Sequence, residues 1–317
     1  MPKLSSGGRL PLHESRFQSA GVIAIATGPL LPRHDPSRHP RGFALVELLV
    51  VLAIIGTLSG LLLSAVSHVR EAGRKLQCSN NLKQMSLGVC AYEASRRTFP
   101  PGVDAIAAGP SLPFGTQHAW SSFILPQIEE QAIASSINYR TLWNALGGNA
   151  DAASHSIPLY ICPSGSVFFP GKQDYGGISG THIVPTGQQW PAANPSFNGI
   201  IIAATSAGLW GVSPSQVIDG LSRTLLIGEA VDRGSPVGTD TSGIENLVWA
   251  WGTNTFAQNA TFINSTTGQG LRSHHVGGAY GSFADGRCTF LDETMDPDVL
   301  AAICTRDGGE SKASDTN

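Results

Sequence analysis

FALVELLVVLAIIGTLSGLLLSAV, from Phe43 to Val66, carries one ionisable side chain, Glu47. As a helix it is about 36 Å long at ~1.5 Å per residue, against a hydrocarbon core of about 30 Å. A soluble helix of this length shows a polar face, so a membrane span is the better reading than a core helix. The flanks do not orient it. Arg33, Arg38 and Arg41 precede it, and Arg70, Arg74, Lys75 and Lys83 follow it, which leaves no positive-inside asymmetry.

Downstream, no proline interrupts residues 67–97, and Cys78, Leu82, Met85, Val89 and Tyr92 recur at helical spacing. The pattern predicts one helix from Phe43 to about Ser95, stopped by Phe99-Pro100-Pro101-Gly102. Its first half lies in lipid. Its second half is amphipathic and packs on the rest of the chain.

Upstream, the junction Arg41-Gly42-Phe43-Ala44-Leu45-Val46-Glu47 sets a small residue before the apolar run and a Glu at the fifth position of it. This resembles the processing site of type IV prepilins and type II secretion pseudopilins. The resemblance implies cleavage after Gly42 and methylation of the new amine on Phe43. It also implies a single-pass protein of the inner (cytoplasmic) membrane, with a cytoplasmic leader and a periplasmic or extracytoplasmic head. A carboxylate deep in a bilayer helix costs about 2.5–3.5 kcal/mol, and less near an end. Glu47 therefore either pairs with the Phe43 ammonium of a neighbouring subunit or sits at the interface and reaches water; pairing is the favoured reading. Residues 1–42 are long for such a leader, and residues 20–31 are mildly apolar. They read either as a weak signal peptide or as the result of a start codon placed too far upstream. Many relatives carry a helix-bending Pro where this chain has Ser64, which predicts a straighter helix there. Gly56 and Gly60 form a G-x-x-x-G that lets helices approach, a weak signal in a chain with 37 Gly.

Beyond Pro101 short apolar runs alternate with turn signals. Strands are expected over Trp120–Leu125, Ile200–Thr205, Thr224–Ile227 and Val248–Trp251, with a helix over Gln127–Tyr139. Ala279–Phe290 reads as a hairpin, with Asp285-Gly286 suited to a type I′ turn. His275 precedes Asp285 by nine intervening residues. This H-x9-D-G arrangement resembles the C-terminal signature of a prepilin-like family, the domain of unknown function 1559. Gln77–Gln84, Thr98–Gly102, Leu125-Pro126 with Glu129–Gln131, Cys162-Pro163-Ser164, Ile218–Gly220, Gly228-Glu229 and Thr305–Glu310 agree with it. The likeness runs from about Arg41 to Glu310, and the family carries no established enzyme activity.

Five cysteines occur, Cys78, Cys90, Cys162, Cys288 and Cys304, without a C-x-x-C pair. A zinc knuckle or thioredoxin-like site is therefore not expected. In an oxidising compartment one or two disulfides can form. Sequence alone does not give their connectivity; Cys78 and Cys162 are the candidate pair. Asp285 and Gly286 are read as serving their turn and His275 as bonding nearby backbone. The sharper alternative is a metal or ligand site with Asp219 or Glu229, for which calcium suits clustered carboxylates. No metal and no cofactor are expected. Adjacent His274 and His275 on a strand point to opposite faces. No H-E-x-x-H, G-x-S-x-G or Walker-type loop occurs. The six tryptophans (120, 143, 190, 210, 249 and 251) read as core rather than as sugar platforms. A net charge of −3 and 14% charged residues do not suit nucleic acid as a partner.

The expected architecture is α+β and pilin-like: a leader over 1–42, a helix over 43–97, and a large loop-rich head over 98–317 built on an antiparallel sheet. The expected role is a non-enzymatic pseudopilin-like subunit. Its partners are a prepilin peptidase, an inner-membrane assembly platform, other pseudopilins or copies of itself, and membrane lipid. The rivals are a membrane-anchored binding module that uses prepilin processing only for export, and an anchored hydrolase acting on envelope polymers. Strongly shifted clustered carboxylates in a cleft would favour the hydrolase.

Overall fold

A computed structural model of the chain describes residues 45–106, 115–183, 198–204, 210–232, 248–250, 255–258, 262–265 and 270–309. Gly42, Phe43 and the proposed leader lie outside these residues, as do Trp190, Trp251 and Glu310. The chain divides into two compact units, Met1–Leu58 and Ser59–Asn317.

Helix α1 spans Leu45–Arg96 as one unbroken element of 52 residues. None of its most apolar 18-residue window is buried, and by length and composition it can cross a membrane. Ser64 donates its hydroxyl to the Leu61 carbonyl at 2.9 Å, and the helix continues through it. Beyond the apolar window, Cys78, Leu82, Met85, Val89 and Tyr92 are buried along one stripe. The helix ends where Arg97 turns left-handed, with φ 65°. Its N–H closes the last turn on the Glu93 carbonyl at 2.6 Å, and the prolines that follow cannot continue it.

Among the described residues five strands form one sheet: β1 (Tyr175–Thr181), β2 (Leu225–Glu229), β3 (Thr255–Gln258), β4 (Gly278–Phe283) and β5 (Cys288–Asp292). Their order is β3-β1-β2-β4-β5. Four strands run antiparallel, as expected, and β3 joins the β1 edge in parallel.

Strand side chains alternate between faces. One face presents Tyr175, Ile227, Tyr280 and Cys288 to the core that holds the buried stripe of α1. The other presents Ile178, Leu225, Ala279, Phe283 and Leu291 to Leu300, Ala301, Ile303 and Cys304 of the C-terminal helix. That helix, which is α5 (Pro297–Cys304), is capped by the Asp296 carboxylate, which accepts the Asp298 N–H, and has Pro at its first position. The fold is α+β and pilin-like, with the amphipathic half of α1 on one face of a sheet.

Several local expectations are corrected. Trp120–Phe123 is a short helix, α2, followed by a 3-10 turn over Leu125–Ile128, and not a strand. Trp120, Ile124 and Leu125 are all fully buried, and a short apolar run buried on all sides fits either state. The helix expected over Gln127–Tyr139 shrinks to α3 (Gln131–Ser136) because Glu129 adopts φ 68° and breaks it. Ile200, Ile201, Ile202 and Ala204 are buried without a ladder; Ala204 makes one isolated bridge to Asp104. Val248 likewise makes one isolated bridge, to Lys172. A further helix, α4, covers Gly148–Ala153. Trp120 and Trp249 are core, Trp143 packs against it, and Trp210 donates its indole N–H to the Tyr92 hydroxyl at 3.1 Å.

The β4–β5 hairpin is present, but its turn is not type I′. Gly286 has φ 83° while Asp285 is not in the left-handed region. The Gly286 N–H closes on the Phe283 carbonyl at 2.9 Å and the Phe283 N–H on the Arg287 carbonyl at 2.8 Å. This is the three-residue loop with one left-handed glycine. A Cβ on Gly286 would meet nothing closer than 3.7 Å, so Gly286→Ala is expected to cost only the left-handed penalty of about 1 kcal/mol. Equilibrium denaturation of the two proteins measures it.

Candidate functional site

Glu71, Lys75, Cys78 and Lys83 follow one another along α1 and hold three parts of the head: Glu71 and Lys75 the His275-Val276 segment, Cys78 the Cys162 loop, and Lys83 the β4–β5 turn. The Cys78–Cys162 disulfide joins the helix to the loop after the 3-10 turn Pro158–Tyr160, with Cα atoms 5.5 Å apart. Cys162 is further fixed by its N–H, which donates to Asp174 Oδ2 at 2.9 Å.

Beside the disulfide lies the His275 imidazole, 2% exposed. Its Nδ1 is 2.7 Å from Glu71 Oε1 on α1, and its Nε2 is 3.5 Å from Glu229 Oε1 at the end of β2. The Ser164 hydroxyl lies 3.5 Å from Nδ1. Glu229, fully buried, accepts the Tyr280 N–H at 2.8 Å on its other oxygen, Oε2. Burial alone would lower the His275 pKa, but the hydrogen bonds and charges of Glu229 and Glu71 outweigh it and raise it. Burial likewise pushes the Glu71 carboxyl up, yet His275 and Arg74 hold it below its ordinary value. The Cys162 sulfur is 4.0 Å from His275 Nε2 and 3.9 Å from Glu229 Oε1. Cys78, Cys162, Glu229 and His275 offer ligand-type atoms that all lie within 4.8 Å of one another.

The H-x9-D-G residues do not form one site. His275 enters the buried cluster, whereas Asp285 is exposed at the hairpin and accepts the Arg287 N–H at 2.8 Å. Both ends of the signature nevertheless dock on α1. Lys75 Nζ donates to the Val276 carbonyl at 3.2 Å, and Lys83 Nζ donates to the Gly286 carbonyl. Glu71 and Lys83 are about 18 Å apart along a helix at ~1.5 Å per residue. The six-residue strand β4 covers about 20 Å at ~3.3 Å per residue. The nine intervening residues of the signature carry strand β4, which lies between the two ends docked on α1. Asp219, the other candidate partner of His275, instead accepts the Gly308 and Gly309 N–H groups at 2.8 and 2.9 Å.

His274 turns away from its neighbour into a second network. Its Nε2 is 2.8 Å from Asp232 Oδ2. Lys172, 1% exposed, lies 2.6 Å from Asp232 Oδ1 and 2.9 Å from Asp174 Oδ1. Ser166 donates both its N–H and its hydroxyl to Asp232 Oδ2 at 2.7 Å. Burial would raise the Asp232 carboxyl, but Lys172, Ser166 and His274 hold it far below the usual carboxylate range. At Asp174 burial dominates and pushes the carboxyl up despite Lys172. The loop 162–166 is therefore gripped by both networks. Sequence reasoning missed Glu71, Lys172, Asp174 and Asp232. Only Glu71 left a local signal: it stands two helical turns before Cys78, on the same face of α1.

The arrangement ties one helix covalently to the Cys162 loop and ionically to His275 just ahead of β4, and gathers sulfur, nitrogen and oxygen donors at the tie. Comparison with known proteins agrees with the layout. The prokaryotic N-terminal methylation motif matches residues 37–63, across the start of the apolar helix. A family described as protein of unknown function (DUF1559) matches residues 67–298, which include Glu71, Cys78, Cys162, Glu229 and His275. No curated protein and no solved structure gives a match. Because that match covers well over half of its length, the chain belongs to the DUF1559 family, and it carries a prepilin-type methylation motif ahead of the family region.

Proposed function

We propose that this chain is a pseudopilin-like structural subunit of a type II secretion or type IV pilus-like assembly, anchored in the cytoplasmic membrane by the first half of α1. The observation that carries this reading is the overlap of the methylation motif at 37–63 with an apolar helix segment of which no part is buried. Such a surface needs lipid or other helices to cover it. On this reading residues 1–42 form a cytoplasmic leader, a prepilin peptidase cuts between Gly42 and Phe43, and the head, 98–317, lies outside the membrane. Inner-membrane assembly proteins, sibling pseudopilins or further copies of this chain are the partners. Glu47 lies in the first turn of α1, where it can meet the ammonium of a neighbouring Phe43. The head is non-catalytic on this reading: the carboxylates of both buried networks are engaged with histidine, lysine or backbone partners.

Mass spectrometry of the mature N-terminus tests the processing, with N-methyl-phenylalanine at position 43 as the expected result. An uncut chain, or one starting elsewhere, overturns it. Glu47→Ala is expected to leave cleavage intact and to reduce recovery in sheared filaments at least tenfold. Absence of the wild-type chain from all filaments would instead assign the head to an anchored binding module.

A further inference from the structure

We propose that Cys78, Cys162, Glu229 and His275 form a redox-gated metal site, closed as a disulfide and able to hold Zn²⁺ or a similar divalent ion when the two cysteines are reduced. This departs from the expectation of no metal, and it does not depend on how the N-terminus is processed.

The first argument is geometric. Zinc binds thiolate at about 2.3 Å, and imidazole nitrogen and carboxylate oxygen at about 2.0–2.2 Å, in tetrahedral sites. The edges of that tetrahedron are therefore about 3.6 Å from sulfur to nitrogen or oxygen and about 3.4 Å from nitrogen to oxygen. In the structure Cys162 Sγ lies 4.0 Å from His275 Nε2 and 3.9 Å from Glu229 Oε1, and Nε2 lies 3.5 Å from Oε1. Three edges already stand within a few tenths of an ångström of the required values. The fourth ligand, Cys78, is bonded to Cys162. Breaking that bond lets the sulfurs move toward the ~3.8 Å edge of a zinc dithiolate.

The second argument is independent of the ligand set. A metal-bound histidine typically gives its other ring N–H to a carboxylate, and a ligating carboxylate is itself hydrogen-bonded. His275 Nδ1 lies 2.7 Å from Glu71 Oε1, which leaves Nε2 facing the sulfurs. Glu229 Oε2 takes the Tyr280 N–H, which leaves Oε1 facing the same point. All four ligand residues are buried. Two sulfurs, a nitrogen and one carboxylate oxygen suit zinc, not calcium.

The chemistry balances with a dithiol reductant. One dithiol attacks the Cys78–Cys162 bond by thiol–disulfide exchange, leaves as its own disulfide, and delivers two electrons and two protons to give two thiols. The metal ion then binds both sulfurs and releases their two protons, and any proton on Nε2 leaves as well. Glu229 binds as its carboxylate.

Cobalt(II) tests the site on the full chain in detergent micelles. The protein is reduced with a water-soluble phosphine, freed of it without air, and titrated with Co²⁺ and then Zn²⁺. Expected are one Co²⁺ per chain, the intense visible bands and thiolate charge-transfer absorption of a tetrahedral site, and their loss when Zn²⁺ displaces Co²⁺. The oxidised chain is expected to show none of these. Zn²⁺ should protect Cys78 and Cys162 from alkylation, read by peptide mass mapping. Burial raises the Cys90 thiol pKa and pushes Cys288 up to about 11, so neither competes strongly at neutral pH. Glu71→Gln, which removes the charge behind His275 together with the exposed Arg74 pair, is expected to weaken the metal about 10–100-fold. A reduced wild-type chain that gives no tetrahedral thiolate spectrum, whether or not it keeps its fold before metal is added, overturns the proposal. So does a spectrum unchanged in Glu229→Gln and His275→Ala.

Discussion

Replacing Lys172 with Met is expected to remove about 3–5 kcal/mol of stability, the cost of breaking a buried ion pair from one side. The ammonium sits between Asp174 and Asp232, whose side chains are 0% and 6% exposed. Without it, two carboxylates stay in a region of low dielectric, and Ser166 and His274 can satisfy only Asp232. Asp174 would keep its backbone partners, the N–H groups of Cys162 and Asp232, but no cation. The loop that carries Cys162 should loosen with it. Urea denaturation of the full chain in micelles, followed by tryptophan fluorescence, reads the loss, since Trp120 and Trp249 are fully buried. The triple variant Lys172→Met, Asp174→Asn, Asp232→Asn is expected to recover part of it, because an uncharged set leaves no buried charge unpaired. A single variant within 1 kcal/mol of wild type would show that the network contributes little.

Removing the disulfide with Cys78→Ala and Cys162→Ala is expected to cost about 2–5 kcal/mol. The bond closes a sequence separation of 84 residues, and a loop of that size frees much chain entropy in the unfolded state. The Glu71–His275 contact and the two lysine contacts to Val276 and Gly286 remain. Together with the buried stripe of Leu82, Met85 and Val89, they are what holds α1 to the head in the double variant. Side-chain contacts at a partly exposed edge are weak one by one, so the midpoint should fall clearly. Limited proteolysis supplies a second readout: cleavage between residues 97 and 120 should quicken as the helix detaches from the head. A shift below about 1 kcal/mol would mean that apolar packing of Leu82, Met85 and Val89 alone secures the helix.

The long helix was legible because its signals are local. An apolar run of membrane length, a repeating stripe from Cys78 to Tyr92 and a Pro-Pro stop act on neighbouring residues, and α1 ends at Arg96 as they require. The β4–β5 hairpin was legible for the same reason, down to the glycine at its turn; its exact type was not, because Asp285 does not share the left-handed conformation of Gly286. Trp120–Leu125 went wrong where burial on every side erases the period that separates helix from strand.

The buried networks carried almost no local signature. Glu71 meets His275 across 204 positions, and Lys172 meets Asp232 across 60. Such pairs exist only after the strands take the order β3-β1-β2-β4-β5 and α1 lies on one face of them. Local chemistry specifies which segments are helix, turn or span. Which distant charges become neighbours is a property of how those segments stack, because a carboxylate and a cation far apart in sequence attract only once the fold has removed the water between them.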